Sequence, residues 1–124
     1  MGNLVDDRLA RIQKMQADAK QWTEGLITGY KNAVKNIKAE GKTVDFDEAK
    51  RIFHNTVWIE KDEFIANVAV STGLRIQVLN GYFDLLVKSG RFQMNPNNNN
   101  KFRSDNEAYD AWDAMEKEYG IKDT

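Results

Sequence analysis

The chain has no cysteine, one proline and one histidine in 124 residues. Without cysteine there is no disulfide, no thiolate metal site and no Cys–His nucleophile pair. This usage fits a reducing compartment, and a cytoplasmic protein is expected. No apolar run approaches the roughly 18 residues of a membrane-spanning helix. The opening MGNLVDDRLARIQ lacks the apolar stretch of a secretory signal, and Asp6 stands where N-myristoylation needs Ser or Thr. Net charge is −1, so no overall excess of one sign selects a partner. Low complexity is confined to four consecutive asparagines at 97–100.

What remains is ordinary globular material. Hydrophobic residues make up 41% and charged residues 30%, enough apolar side chain for a core and too much for wholesale disorder. The length suits one domain that can bury its own core. Charge is unevenly spread along it. Residues 64–103 carry five basic side chains (Arg75, Lys88, Arg91, Lys101, Arg103) and one acidic, Asp84. Residues 104–124 carry two basic and seven acidic. A basic middle thus adjoins an acidic C-terminal stretch.

Val5, Leu9, Ile12, Met15, Ala19 and Trp22 recur at spacings of three and four, the mark of one helix face. Leu26, Tyr30, Val34 and Ile37 continue the pattern. Gly25 and Gly29 weaken the helix where the stretches join, which predicts a bend or break near 23–25. Gly41 is placed to stop it. In DFDEAKRIFHN, Asp45 and Glu48 have capping-box spacing, with Ala49, Ile52 and Phe53 facing inward. TVWI (56–59) is β-branched and aromatic and reads as a short strand. EKDEFIANVAVS follows as a helix, acidic in its first turn, with Phe64, Ile65, Val68 and Ala69 on one face. LRIQVLNGYFDLLVKSG is the next helix and ends at Gly90. A last helix is read in SDNEAYDAWDAMEKEYG, capped by Ser104 and Glu107, with Ala108, Tyr109, Trp112, Met115 and Tyr119 as its stripe.

In IANVAVSTGLRIQVLNGYF a small residue, Ala69, stands four before Gly73, and Gly73 six before the apolar Leu79. Val68, Leu74 and Tyr82 fill further inward positions. This spacing resembles the helix-turn-helix superfamily, where a small residue sits at the crossing and a glycine takes the turn's positive φ. Thr72 is more polar than the resemblance implies. RFQMN–PNNNN–KFRS then looks like the wing of a winged helix-turn-helix. Phe92 and Phe102 can share one strand face, leaving Arg91, Lys101 and Arg103 nearer the tip or the outside. The asparagines tolerate left-handed backbone and bond their own main chain, so the run reads as the exposed loop.

The expected fold is therefore mainly α with a small β-sheet. It is a winged helix-turn-helix core (45–104) with N-terminal helices (1–44) and a C-terminal acidic helix (105–124). The N-terminal helices either cover the core or pair with a second copy. The resemblance implies a homodimer.

On a helical wheel the second helix of the motif shows a polar face of Gln77, Asn80, Gly81, Asp84 and Lys88, with Arg75 at its start. In a DNA reading, Arg75, Gln77 and Asn80 meet base edges, since Arg suits guanine and Gln or Asn suits adenine. Lys88, Arg91, Lys101 and Arg103 meet phosphates. Gly81 permits close backbone approach. Asp84 opposes this reading, and an exposed helix face is polar in any protein.

No catalytic set stands out. GKT at 41–43 has Asn36 where a phosphate-binding loop needs glycine. His54 reads as a helix-end or surface residue, and no acidic cluster has calcium-loop spacing. The expectation is a non-enzymatic, cofactor-free, duplex DNA-binding transcriptional regulator, of a size and asparagine content that suit a phage or mobile element. The alternative is a winged-helix interaction module that binds and inhibits or adapts a host or viral protein complex.

Overall fold

The computed structural model describes residues 4–104 and 113–114. Its elements run α1 (Leu4–Ala39), α2 (Phe46–Thr56), β1 (Ile59–Glu60), α3 (Lys61–Thr72), α4 (Ile76–Lys88), β2 (Phe92–Asn95) and β3 (Asn98–Ser104). The architecture is mainly helical with one small antiparallel sheet of strand order β1-β3-β2. Among the described residues no helix is long and apolar enough to cross a membrane. The C-terminal helix expected after Ser104 lies outside the described residues.

α1 is one continuous helix, so the expected break near 23–25 does not occur. Gly25 and Gly29 lie on its exposed side. The opposite face is buried at Met15, Ala19, Thr23, Ile27, Tyr30 and Val34. Each glycine costs the helix only about 1 kcal/mol. Burial of the large apolar side chains on the other face gains about 1.5–3 kcal/mol apiece, so packing wins. Gly41, at φ +81, ends the helix as the sequence implies.

That buried face serves two clusters. The larger joins Met15 and Ala19 of α1 to Phe64, Ile65 and Val68 of α3, Leu79, Tyr82, Phe83 and Leu86 of α4, and Ile59, Phe92 and Phe102 of the sheet. The smaller joins Ile27, Tyr30 and Val34 to Phe53 and Val57. α2 starts where Asp45 accepts a 2.8 Å hydrogen bond from the Glu48 amide, the capping bond read from the sequence. The Glu48 carboxylate turns instead to Arg51. Tyr30 Oη donates to the Ala49 carbonyl at 3.0 Å and fixes α2 on α1.

The strand expected at 56–59 is shorter and later. Thr56 closes α2, and the Val57 amide still donates to Phe53 in helical fashion. The Trp58 indole donates to the His54 carbonyl. Only Ile59 and Glu60 reach β3, opposite Phe102 and Lys101. Burial of Val57 in the smaller cluster, rather than strand propensity, decides its place.

α3 and α4 meet at a tight turn around Gly73, whose φ of +73 only glycine takes without strain. Thr72 explains its own polarity there. Its hydroxyl donates to the Val68 carbonyl at 2.6 Å and accepts from the Leu74 amide at 3.2 Å, satisfying two main-chain groups in the turn. Leu79, six residues on, is fully buried.

The β2–β3 hairpin closes over Pro96 and Asn97, with Asn95 opposite Asn98 and an irregularity next to Met94. No non-glycine residue among those described has positive φ, so the asparagines do not use the left-handed region expected of them. They act through side chains. Asn95 accepts from the Asn97 amide (2.8 Å), and Asn98 from the Asn100 amide (2.9 Å), two Asx turns in one loop. Asn100 accepts from the Asp62 amide at 3.3 Å and ties the loop to the start of α3.

Replacing Gly25 or Gly29 with alanine is expected to raise stability by up to about 1 kcal/mol each in urea unfolding. Among the described residues, a new Cβ at either position meets nothing within 4 Å beyond its own stretch of helix. A loss of stability at either site would mean that α1 needs glycine there for bending.

Candidate nucleic-acid interface

The polar stripe read on the helical wheel faces solvent. α4 buries Leu79, Tyr82, Phe83 and Leu86. Gln77, Gly81, Asp84 and Lys88 are exposed and Asn80 is half-buried. Arg75 is exposed at the N-cap, in extended backbone conformation. The buried arc is narrow, since Ile76, Val78 and Leu85 are 53%, 38% and 47% exposed.

The seven candidate residues fall into three groups. Arg75, Gln77 and Asn80 occupy the first turns of α4. Lys88 and Arg91 lie at its other end, roughly 20 Å along the axis at 1.5 Å per residue, and both are exposed. Lys101 and Arg103 belong to β3, on the sheet face opposite Phe102.

Arg103 is not where it was expected. It is 2% exposed, so it does not stand on the outside of the hairpin. Its guanidinium lies 4.3 Å from the Trp58 ring and 5.8 Å from that of Phe53. Its Nε donates to Gln93 Oε1 at 3.0 Å, across the Gln93–Arg103 register pair. Strand alternation does turn Arg103 away from the core. Trp58, brought over the sheet by the end of α2, then covers it.

The sequence reading missed this second locale. Trp58, His54 and Gln93, with the hairpin loop, Lys101 and Arg103, line a cleft of about 650 Å³. The available signal was the alternation of Lys101 and Arg103 about Phe102, which puts two cations on one side. The arrival of Trp58 there has no local signature. Burial and then the positive charges of Arg103 and Lys50 hold His54 below its ordinary pKa of 6.5.

Other charges temper the basic patch. Glu60 stands opposite Lys101 in the sheet. Asp62 and Glu63 are exposed in the first turn of α3. Lys61 is half-buried, with its ammonium 4.7 Å from the Phe83 ring.

With this geometry established, comparison of the chain with protein-family models, curated proteins and solved structures finds no match.

His54 is the chain's only histidine, so its titration can be read alone. Its midpoint is expected below 6.5 by NMR. The folded state then binds fewer protons than the unfolded chain between that midpoint and 6.5. The resulting contribution to stability is complete above 6.5 and is lost as pH falls through the folded midpoint. His54→Asn should flatten that part of the pH–stability curve. An unshifted midpoint would contradict the placement of His54 beside Arg103.

Proposed function

We propose that this chain is a winged helix-turn-helix protein that binds duplex DNA and regulates transcription as a homodimer. The observation that carries the reading is the polar outward face of α4, with Arg75 and Gln77 exposed at its start and the β2–β3 hairpin packed beside its other end. A helix of this width enters the major groove, where Arg75 can pair with guanine and Gln77 or Asn80 with adenine. Lys88, Arg91 and Lys101 neutralise phosphates. Arg103 leaves this set, because a side chain 2% exposed cannot reach a phosphate without leaving Trp58. Gly81 supports the reading as well. It weakens an exposed stretch of α4, and among the described residues nothing beyond its own stretch of helix lies within 4 Å of its Cβ position. A partner that approaches the backbone closely would use that opening.

In this proposal the second copy binds near the start of α1. Leu9 is 52% exposed beside Ile12 and Leu85, on a groove of about 290 Å³ between α1 and α4. Two copies would present two copies of α4 to successive turns of a duplex. Sedimentation velocity should report a dimer that Leu9→Glu dissociates.

One group of observations favours a second reading, a protein-docking surface. Val70 is 88% exposed and Ile76 53%, on either side of the turn, while Glu60 and Asp62 place carboxylates beside the hairpin. Apolar side chains at the mouth of a major-groove helix also meet thymine methyl groups, so they fit both readings.

Binding to a selected duplex separates the two. Arg75→Ala should cost about 1–3 kcal/mol on the preferred site and relax its sequence preference. Lys88→Ala should weaken all duplexes alike and reduce the slope of log affinity against log salt by about 1. Absence of duplex binding even at low salt would overturn the DNA reading and leave the protein-docking one.

A further inference from the structure

Ile76 is the first residue of α4, between Arg75 at the N-cap and Gln77, and it is 53% exposed. A β-branched side chain in an exposed first turn does little for the fold. It loses rotamer freedom in the helix and leaves apolar surface in water. The core is served on either side of it. Leu74, two residues earlier, packs against the larger cluster, and Leu79, three residues later, is buried in it.

The other exposed apolar side chains lie elsewhere. Val78 and Leu85 are seven residues apart and share one side of α4, where Leu85 lines the groove with Leu9 and Ile12. Ile76 is nine residues from Leu85, two and a half turns at about 3.6 residues each, so it is on the side away from that groove. Val70 belongs to α3. A second copy seated on the groove therefore leaves Ile76 uncovered.

Its surroundings suit a polyanion with an apolar group on it. The first turn of α4 has no acidic side chain, whereas α2 carries Asp47 and Glu48 there and α3 carries Asp62 and Glu63. What the start of α4 offers is a guanidinium, an amide and, between them, an aliphatic side chain. In the major groove the thymine C5-methyl is the apolar group among base edges that otherwise present hydrogen-bond donors and acceptors. A guanidinium or amide gains nothing from a methyl. An aliphatic side chain does, because contact removes both surfaces from water. Consecutive Cα atoms are about 3.8 Å apart and consecutive bases of a strand about 3.4 Å, so Ile76 reaches a base close to the one that Arg75 contacts.

We propose that Ile76 is a specificity-determining residue that packs against a thymine C5-methyl within about two base pairs of the guanine paired with Arg75. This role rests on duplex DNA binding through α4, and it adds to the preferred site a base that hydrogen bonding from Arg75 and Gln77 does not select.

A preferred duplex is first selected from random sequence with the full chain at low salt. The guanine read by Arg75 is the position at which Arg75→Ala loses its preference. Each thymine of that duplex is then replaced in turn by uracil, which keeps every pairing group and lacks only the methyl. One replacement near that guanine should weaken binding about fourfold, the worth of one buried methyl. Ile76 is exposed, so Ile76→Ala leaves the core intact, and this variant should bind the thymine and uracil duplexes equally. Lys88→Ala should weaken both and keep the fourfold ratio. Absence of duplex binding by the unmodified chain would overturn the DNA reading and this role with it. Duplex binding without a preferred site, or with no uracil-sensitive thymine near that guanine, would overturn the role of Ile76 alone. So would a sensitivity to uracil that persists in Ile76→Ala.

Discussion

The ring of Phe102 is the point about which the described fold is arranged. It is completely buried in the middle of β3. Its centroid lies 5.2 Å from Phe64 of α3, 4.8 Å from Phe83 of α4 and 4.9 Å from Phe92 of β2. Ile59 of β1 stands opposite it in the sheet. Edge-to-face and tilted ring pairs at these distances add to area burial and fix orientation. Four elements therefore take their places from one side chain. Because side chains alternate along a strand, burying Phe102 also commits Lys101 and Arg103 to the other face. Two residues past it, the Ser104 amide donates to Thr23 Oγ1 at 3.2 Å and joins the sheet to the middle of α1.

α1 carries this order to the second cluster. The same helix face that meets the sheet through Met15 and Ala19 continues to Ile27 and Tyr30, where α2 packs. The Tyr30 and Phe53 rings pack edge to face at 5.4 Å. α2 is thereby aimed so that its end delivers Trp58 over Arg103. The hairpin is held on both faces, by the aromatic cluster beneath and by Trp58 above, and its loop is ordered by asparagine side chains. Such a hairpin is a fixed feature beside α4, which is what a wing requires.

Much of this could be read along the chain where the cause is local. Asp45 announces its cap, Gly73 its turn, and the outward stripe of α4 its exposure, because each depends on residues within a few positions. The paired phenylalanines around the asparagine run reveal a hairpin for the same reason. The rest is decided by contacts distant in sequence. Gly25 and Gly29 weaken a helix that two clusters hold straight. Val57 has strand propensity but fills a hole between α1 and α2. The alternation around Phe102 sets which way Arg103 points, yet nothing near it shows that Trp58 closes over it. Of the candidate site, exposure at Arg75, Gln77, Lys88 and Arg91 was legible, whereas the burial of Arg103 and the cleft around it were not.

The central claim is that the outward face of α4 and the adjoining hairpin act as one surface toward duplex DNA. Amide chemical-shift mapping of the isotope-labelled protein, with a short mixed-sequence duplex at low salt, tests it most directly. The account predicts that the perturbed amides cluster at Arg75, Gln77, Asn80, Lys88, Arg91 and Lys101, with the buried aromatic cluster unmoved. Perturbations confined to α1 or α2, or none at all, would contradict it.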